Sequence, residues 1–535
     1  MKKIFLILFS ASAVVTGCSD VLNTIPTDRL SSEIYWQTDQ DAEYASNAVY
    51  RFLEGPGTII SRESMTDIAR STFQNSAENP VELGVADALS GIFSSAWSDM
   101  YRGIRRCNDY LANVDKITPK DVSLVKQYTA EVRTLRAYYY SRLVSYFGAV
   151  PLIKEPISIS ESKEITRTPV SEIYDFIETE LNEAVVDLPV NAKVAGRITR
   201  GAALGILART MLFAAGNVTG DDARSSSYYQ KAKNAADAVI SLGKYSLFKS
   251  YENMFLYANE NNCEVILDVQ YIKDYYSNSV MNNFGPVSLG NNGSSVSVSK
   301  VLVDEYETVN GLPIDKDNSY DPYHPYDNRD PRLGYTIFYP GSILPNGTIF
   351  NSIPGCGSAD AIGASYQVSK TGLNPRKYLN PEDIGTSNRT NCGINFVLLR
   401  YAEILLTAAE ARIEMNQDLE GARNLINQIR SREDVAMPPV SASSQEDLRK
   451  AVRHERMVEL ALEGNRFFDV RRWKIAEQVC TTTKVEGIQY VDENGKLVTW
   501  SEDFPKKFTA KDYLWPIPYN ERQLCPGLTQ NDGWN

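Results

Sequence analysis

Three glutamates in the last fifth of the sequence have the spacing most suggestive of catalysis. Glu455, Glu459 and Glu463 recur every four residues, so on a helix they would share one face. Glycosidases use two carboxylates about 5–10 Å apart, normally from different elements across a cleft. Carboxylates stacked on one helix face repel each other unless cations lie between them. The spacing is therefore compatible with two roles for these glutamates, which are hydrolysis and structural ion pairing.

Arginines and aromatic residues crowd the same stretch, ERMVELALEGNRFFDVRRW, at 455–473. A guanidinium group can satisfy a carboxylate with two parallel hydrogen bonds. Arg456, Arg466, Arg471 and Arg472 are near enough in sequence to act in this way. We therefore predict a buried lattice of glutamates and arginines clamped by aromatic rings, and we keep a glycoside hydrolase that uses the three glutamates as an alternative.

Other catalytic and metal-binding patterns are missing from the sequence. Two histidines, His324 and His454, are too few for a histidine-rich metal site. No GxxxxGK[ST], GxSxG or HExxH motif is present. The acidic run from Asp315 to Asp321 lacks the glycine and the glutamate that an EF-hand loop requires. The sequence therefore predicts no metal and no cofactor.

The composition narrows the partners further. The chain has 535 residues and a formal net charge of −12, which disfavours the dense basic face that nucleic acid binding requires. Its 31 tyrosines suit a contact surface, because each ring combines an apolar face with a polar tip. None of the seven cysteines lies in a CxxC pair, which disfavours zinc and thioredoxin chemistry. Cys356 and Cys392, both in a loop-rich region, are the pair we expect to form a disulfide.

Residues 1–17 have the pattern of a secretory signal peptide. Lys2 and Lys3 precede an apolar run at 4–15, which is too short to cross a bilayer. The run ends in VTGC, which resembles a bacterial lipobox with Cys18 as the acylated first residue of the mature protein. An ordinary signal peptide is the alternative. Because two or more acyl chains anchor a protein stably, we expect a water-soluble body tethered to the membrane through Cys18.

Helical periodicity dominates the chain outside one long segment. Apolar spacing predicts helices at 124–147 and 169–188 and alanine-rich helix pairs at 200–243 and 399–432, the first with Thr199 as its N-cap. Small residues let paired helices approach closely, as in tetratricopeptide repeats. The sequence therefore predicts a mainly α fold built on helix pairs.

Between the pairs, the composition changes at about 251–396. Glycine, proline, asparagine, serine and aspartate become frequent there, and short β-like runs such as EVILDVQYI and GYTIFYP appear. Long irregular segments on a rigid frame usually carry function. We therefore predict a single domain at 18–535, with a helical scaffold at about 18–250 and 397–535 and a loop-rich insert between them.

Ordered motifs along the whole chain resemble one family. The stretch at 455–473 looks like the C-terminal hallmark of SusD/RagB proteins. Motifs that agree with it, in the family's order, are CSDVLN at 18–23, YWQT at 35–38, Trp97-x3-Tyr101-x2-Ile104-x3-Asn108, EVRTLRAYYY at 131–140, FGAVP at 147–151, NRDPR at 328–332, LRYAEILL at 399–406, LWPIP at 514–518 and LTQN at 528–531.

The resemblance implies a non-enzymatic outer-membrane lipoprotein of Bacteroidetes-type bacteria that captures nutrients at the cell surface. It implies four tetratricopeptide-like helix pairs that support a loop-rich ligand face. It also implies a TonB-dependent (SusC-like) transporter as partner, which receives oligosaccharides or, in the RagB branch, peptides. The family's motifs mark the scaffold, so they identify no ligand residue in this chain.

The candidate ligand residues must therefore come from the loops. Sugar rings stack on aromatic faces and their hydroxyls bind amides and carboxylates, so loops rich in both are favoured. Loop packing or contact with the transporter is the alternative for each residue. The candidates are Phe73, Asn75, Tyr271, Asp274, Tyr275, Tyr276, Asn282, Asn283 and Phe284. Trp97, within a family motif, and the Tyr320–Tyr326 cluster are expected to serve packing instead.

Overall fold

Long helices account for most of the regular structure. The computed structural model describes residues 35–217, 222–290, 292–385 and 387–534, so the predicted signal peptide and Cys18 lie outside the described residues. No described helix is both long enough and apolar enough to cross a membrane. The helices of twelve residues or more are α1 (Asp39–Tyr50), α2 (Gly91–Leu111), α3 (Val122–Phe147), α4 (Val170–Asp187), α5 (Arg200–Asn217), α6 (Asp222–Ser241), α7 (Tyr401–Glu414), α8 (Leu419–Arg430) and α9 (Gln445–Glu459).

Polar side chains define where several of these helices begin. The Thr38 hydroxyl accepts from the backbone N–H of Asp41, and the Asp41 carboxylate binds back to Thr38, which is a complete capping box for α1. Asp121 caps α3 by accepting from Leu124 at 3.0 Å. Thr199 accepts from the third residue of α5 at 3.2 Å, so the predicted N-cap is confirmed.

The helices pack in a continuous series. Neighbours in sequence pack together as α2 on α3, α3 on α4, α5 on α6 and α7 on α8. Helix α6 also packs on α7, although the loop-rich segment separates them in sequence, and α9 packs on α7 and α8. The predicted mainly α fold with tetratricopeptide-like pairs is therefore confirmed, and the two halves of the scaffold pack against each other through α6 and α7.

Helix α3 is the centre of the core, and tyrosines dominate it. Tyr138, Tyr139 and Tyr140 are almost completely buried. The hydroxyl of Tyr139 donates to the Val49 carbonyl at 2.6 Å, and that of Tyr140 to the Ile153 carbonyl at 2.8 Å. A buried hydroxyl needs such a partner, so these tyrosines pin α3 to the neighbouring chain.

Short strands and helices fill the rest of the chain. The strands are β1 (Ala69–Ser71), β2 (Val265–Val269), β3 (Val296–Val298), β4 (Ile337–Phe338), β5 (Asn374–Pro375), β6 (Phe396–Arg400), β7 (Thr482–Val491) and β8 (Leu497–Lys506). They pair antiparallel as β1–β3, β2–β6, β4–β5 and β7–β8. The shorter α-helices are Pro56–Arg62, Asn79–Glu82, Ile159–Ser162, Val280–Phe284, Lys300–Glu305, Arg332–Thr336, Arg466–Arg472, Ala476–Val479 and Tyr519–Leu524.

One expectation about strands needs correction, and one hairpin was not predicted. The run GYTIFYP at 334–340 contains the end of a helix and only the two-residue strand β4, because the helix begins at Arg332. The ten-residue strands β7 and β8 form the longest hairpin described, and periodicity did not predict it. The run EVILDVQYI is a strand as expected, and β2 occupies its centre.

Candidate functional site

The glutamates at 455, 459 and 463 lie in the protein interior, with side chains that are almost completely buried. Glu459 is completely buried and contacts Arg332, Arg400 and Arg432 at 2.9, 2.7 and 2.9 Å. Burial alone would raise the pKa of this carboxyl, but the three guanidinium groups outweigh it and hold the pKa well below its usual range. Glu459 is therefore a permanent anion whose lone pairs are occupied, which is unsuited to proton transfer.

The other two glutamates are held in the same way. Glu455 contacts Arg332 at 2.5 Å and Arg430 at 3.1 Å. Glu463 contacts Arg400 at 2.7 Å and Lys377 at 2.8 Å. Structural pairing is thus confirmed for all three.

Two details of the predicted lattice are wrong. Helix α9 ends at Glu459, and Glu463 follows in a turn whose backbone is left-handed at Leu462 (φ 63°) and Gly464 (φ 78°). The arginines nearest in sequence also pair elsewhere. Their partners are Asp469 and Glu410 for Arg456 and Arg472, Asp67 for Arg466, and the ring of Phe467 for Arg471.

The two loop stretches nominated from the sequence lie side by side. The Thr72 N–H donates to the Ser295 carbonyl at 3.0 Å, and the Ser295 N–H donates to the Asn283 carbonyl at 2.6 Å. The β1–β3 pair fixes this register, because Ser71 lies opposite Val296. The two stretches are therefore joined at Thr72 and Asn283 through Ser295, and we call 72–75 and 271–284 together the loop face.

A tight hairpin presents tyrosines on the loop face. The backbone groups of Ile272 and Tyr276 bond to each other at 2.8 and 3.0 Å. The rings of Tyr271 and Tyr276 stack with centroids 5.1 Å apart and planes 10° apart. Tyr275, at the tip, is 88% exposed. This arrangement offers a partly buried, pre-stacked pair beside a free ring, which suits the flat C–H face of a sugar.

Polar contacts hold the hairpin in place. Asp274 is left-handed (φ 67°), its N–H donates to the Asn391 side chain at 2.9 Å, and Asn391 donates back to its carboxylate at 2.7 Å. Lys273 pairs with the buried Asp383 at 2.9 Å. The exposed tyrosines are therefore carried by an anchored turn, which reduces the entropy that ligand binding would cost.

Asn282 and Asn283 of the loop face are partly exposed, whereas the phenylalanine that follows them is buried. Asn282 and Asn283 are half-buried, and the Asn282 amide donates to the Asn283 side chain at 3.1 Å. Within the described residues the Asn282 side-chain oxygen has no hydrogen-bond partner. Phe284, in contrast, is only 1% exposed and packs in the core, so we remove it from the candidate ligand contacts.

A second aromatic pair lies across the loop face. Phe73 is half-buried and Asn75 is exposed. The ring of Phe73 lies 6.4 Å from that of Tyr366, which is 74% exposed. Tyr366 was not predicted from the sequence, since its only local signal is a position in a glycine- and serine-rich loop. We add it to the candidate contacts.

Trp97 and Tyr326 serve packing, as expected, whereas Tyr323 in the Tyr320–Tyr326 cluster is 52% exposed. Trp97 is almost fully buried in α2, with its ring 5.1 Å from that of Phe147. Tyr326 stacks on Tyr339 at 4.2 Å with planes 13° apart, and its hydroxyl accepts from the Gln489 N–H. Neither ring presents a free face to a ligand.

The predicted disulfide between Cys356 and Cys392 is wrong, because both thiols are free. Cys392 is buried and donates to the Arg389 carbonyl at 3.3 Å, whereas Cys356 is exposed. Burial raises the pKa of the Cys392 thiol to about 12, so it is chemically inert.

The acidic run at 315–321 organises its own loop. Asp317 accepts hydrogen bonds from the side chains of Thr308, Asn310 and Ser319. Its oxygens are thereby engaged by protein donors. Over the described part of the chain, no group of three or more His, Cys, Asp or Glu residues is arranged to hold a metal ion.

Comparisons with known proteins agree with one another. A profile described as "SusD family" matches residues 263–534, and one described as "Starch-binding associating with outer membrane" matches residues 32–212. SusD-like protein P2 of Formosa agariphila is 24% identical over 99% of both chains, and a SusD-like protein of Bacteroides ovatus is 25% identical over 88% of this chain and 83% of its own. A solved SusD-like carbohydrate binding protein of Bacteroides fragilis has a TM-score of 0.84 at 29% identity, covering 92% of this chain and 100% of its own. Since the first profile alone matches more than half of the sequence, the chain belongs to the SusD/RagB family.

Proposed function

We propose that this protein binds oligosaccharides or polysaccharides at the cell surface without cleaving them, and delivers them to a TonB-dependent outer-membrane transporter. The observation that carries the proposal is the loop face, where Tyr275 and the stacked Tyr271–Tyr276 pair stand beside amide groups. Rings that offer flat apolar faces next to hydrogen-bonding amides match the two kinds of surface on a sugar. Membership of a family with a carbohydrate-binding relative supports the same conclusion.

Binding without hydrolysis is supported by the state of the acidic residues. The three glutamates that could have formed a catalytic pair are buried and bound by cations. On the loop face, the carboxylate of Asp274 bonds to Asn391 and that of Asp383 to Lys273. A general acid needs a raised pKa and reach to the substrate, and these groups are engaged otherwise.

Calorimetry with purified protein against a panel of polysaccharides, with mixed peptides as a parallel set, tests the proposal. We expect at least one glycan to bind, with its chain length unchanged after prolonged incubation. Binding of peptides with no glycan binding would assign the protein to the peptide-binding branch instead. Release of shorter sugars would show that it is a hydrolase.

Delivery to a transporter requires that the two proteins meet at the outer membrane. We expect a TonB-dependent transporter to co-purify with the tagged protein after mild detergent extraction of outer membranes. Recovery of the tagged protein without any such transporter would contradict delivery, while leaving glycan binding intact.

Attachment through Cys18 is part of the proposal, and this residue lies outside the described residues. Replacing Cys18 with serine removes the sulfur that would carry the acyl chain. We expect the Cys18→Ser protein to move from the outer-membrane fraction to the soluble fraction, since lipid chains supply the anchoring energy. A variant that stays in the membrane fraction after a high-salt wash would contradict lipid anchoring.

A further inference from the structure

A small cavity lies inside the scaffold where five helices meet. It has a volume of about 30 Å³ and lies between α3, α5, α7, α9 and the short helix Arg466–Arg472. Most of its lining residues are buried, and none of them belongs to the loop face. One water molecule requires about 10–15 Å³ of such volume, so the cavity has room for one small species.

Arginines dominate the charged lining of this cavity. The charged lining residues are the four arginines Arg142, Arg209, Arg456 and Arg472 and the two carboxylates Glu403 and Asp469. Arg456 donates through Nε and Nη2 to Asp469 at 2.8 and 3.0 Å, but its buried Nη1 has no hydrogen-bond partner among the described residues. A buried N–H group without a partner indicates an acceptor that the chain itself does not supply.

The two carboxylates of the lining are already occupied. Glu403 accepts from Nε and Nη2 of Arg209, both at 2.6 Å. Asp469 accepts from Arg472 at 3.0 and 2.8 Å in addition to its two bonds from Arg456. The cavity therefore offers more N–H donors than free carboxylate acceptors, which favours an anion as its occupant.

The ion pairs around the cavity leave one positive charge in excess. The guanidinium groups of this cluster belong to Arg62, Arg142, Arg209, Arg456 and Arg472. Over the described residues, the carboxylates that pair with them are Glu54, Glu403, Glu410 and Asp469. Burial alone would raise the pKa of each of these four carboxyls, but the arginines outweigh it and lower the pKa, so all four are ionised at neutral pH.

Neighbouring charged groups do not remove this excess. Arg466 pairs with Asp67 at 2.6 Å, and Arg453 pairs with Glu414 at 3.7 Å. Burial raises the pKa of the Glu63 carboxyl to about 8, so most of it holds its proton at neutral pH. Positive charge without a counter-charge is costly in the interior, and an anion from the solvent would relieve that cost.

We propose that this cavity binds one halide ion, chloride in ordinary salt solutions, as a buried counter-ion of the scaffold. A single monovalent ion matches both the volume of the cavity and the one missing negative charge. Sulfate and phosphate are larger and carry more charge than the cluster lacks. The ion would join helices of the first half of the scaffold, α3 and α5, to α7 and α9 of the second half, so it would stabilise the folded state.

Bromide provides the direct test, because it replaces chloride and scatters X-rays anomalously. Crystals of the folded protein grown in sodium bromide should show an anomalous peak in the cavity, within hydrogen-bond distance of a guanidinium nitrogen of Arg142 or Arg456. Density without an anomalous peak would mean that a water molecule fills the cavity, and the proposal would be overturned. Absence of any density would overturn it as well.

Thermal unfolding tests the ion in solution. Sodium chloride is raised from about 1 mM to about 150 mM, while sodium gluconate, whose anion is too large for the cavity, keeps the ionic strength constant. The Tm should rise by about 1–3 °C, because an ion that binds only the folded state stabilises it by mass action. A Tm that does not respond to chloride would overturn the proposal.

A carboxylate built into the cavity separates this site from general salt effects. Ser145 is a buried lining residue, so Ser145→Asp supplies the missing charge from within, and the response of the Tm to chloride should disappear. Ser95→Asp, at an exposed serine of α2, is the matched control and should respond as the wild type does. An equal response in both variants would contradict the proposal.

Two further points keep the outcome decisive. If Ser145→Asp does not fold, the bromide crystals and the chloride titration of the wild type still decide. Tyr275→Ala should leave the response to chloride unchanged, so this test and that of glycan binding fail independently.

Discussion

At the scale of single residues, exposure divides the tyrosines of this chain into two kinds. Those of α3 are buried, and the hydroxyls of Tyr139 and Tyr140 donate to backbone carbonyls while those of Tyr138 and Tyr146 donate to the Glu54 carboxylate. Tyr275 and Tyr366 lie in loops and expose most of their rings. A ring whose face is free can exchange contact with water for contact with a sugar, whereas a buried ring has no face left to offer.

The exposed tyrosines of the hairpin are expected to contribute directly to ligand affinity. In Tyr275→Ala and in Tyr276→Ala, binding of the preferred glycan should weaken by about 1–2 kcal/mol, which is roughly five- to thirtyfold in Kd. Calorimetry measures the change, and Tyr44→Ala, at an exposed tyrosine on α1, is the matched control. Equal affinity in the hairpin variants and the control would show that the hairpin does not contact the glycan.

Glu63 is expected to make stability depend on pH. It is completely buried, one oxygen accepts from the Gly464 N–H at 2.8 Å, and the other has no partner among the described residues. Burial raises the pKa of its carboxyl to about 8, against the smaller opposing effects of Gly464 and of Arg62 and Arg466. The folded state therefore binds this proton more tightly than the unfolded chain does. Protonated Glu63 therefore makes its full contribution to the free energy of unfolding below about pH 4.3, and this contribution is lost as the pH rises to 8.

Urea unfolding of the wild type and of Glu63→Gln isolates this effect. The amide keeps an acceptor for Gly464 but cannot ionise. From pH 5 to pH 8 the wild type should lose about 1 kcal/mol or more relative to the variant, since one unit of pKa corresponds to about 1.4 kcal/mol. Because other groups titrate in both proteins, only their difference is informative. If the stability difference between the wild type and Glu63→Gln stays constant with pH, the raised pKa of Glu63 is contradicted.

Local sequence patterns identify some residues of the loop face, but they cannot identify residues that come together from distant parts of the chain. Phe73, Asn75 and the tyrosines at 271–276 stand out because aromatic and amide residues cluster within a few positions. Tyr366 has no such neighbours, and its partner Phe73 lies far away in the chain. Phe284 was predicted as a ligand contact because aromatic and amide residues surround it in the sequence. The short helix Val280–Phe284 turns its ring into the core instead.

At the scale of elements, helices with clear periodicity and caps were predictable, and their ends less so. The side chains of Thr38, Asp121 and Thr199 mark helix starts that can be read directly from sequence. The end of α9 could not be read in this way, because the Glu spacing continues past it while the backbone turns at Leu462. The β7–β8 hairpin did carry a signal, the Asn494-Gly495 dipeptide in its turn, which favours a hairpin loop.

The turn that ends this helix depends on glycine at one position. Gly464 has φ 78°, and a Cβ added there would lie 2.7 Å from the Ile59 side chain. We expect Gly464→Ala to lower the free energy of unfolding by about 1–3 kcal/mol, from backbone strain and from this clash. Urea denaturation measures the loss.

Gly57→Ala is the control for this substitution. Gly57 lies in the helix Pro56–Arg62, and a Cβ there meets nothing within 4 Å. The free energy of unfolding of the Gly57→Ala protein should be unchanged or slightly higher, since alanine is more favourable than glycine in a helix by up to about 1 kcal/mol. A loss as large as that of Gly464→Ala would mean that neither strain nor the clash explains the effect.

At the scale of the whole molecule, the buried charges join the scaffold to the loop-rich segment. Arg332 comes from that segment and Arg432 follows α8, yet both contact Glu459. Glu264, next to β2, contacts Arg400 and Arg432. The composition of 455–473 predicted that its glutamates would pair with arginines. It could not predict which arginines, because the partners lie far away in the sequence and only folding brings them close.

Removing the central carboxylate should therefore affect the whole domain. Glu459→Ala leaves three guanidinium groups with one fewer counter-charge in the interior, and we expect a loss of about 3–5 kcal/mol in stability. Thermal and urea unfolding measure it, with Glu446→Ala, on the solvent-facing start of α9, as the control that should change little. Similar small effects in both variants would show that the lattice is not required for stability.

The position of these carboxylates along the chain has a consequence for biogenesis. Their guanidinium partners Arg332, Arg400 and Arg432 are synthesised earlier, and until the glutamates follow, Asp330 and Glu264 supply only part of the counter-charge that these arginines have in the folded protein. A nascent chain that lacks these glutamates would close its interior with an excess of positive charge, which is costly. We therefore expect the interior to close only after the last fifth of the chain has been synthesised.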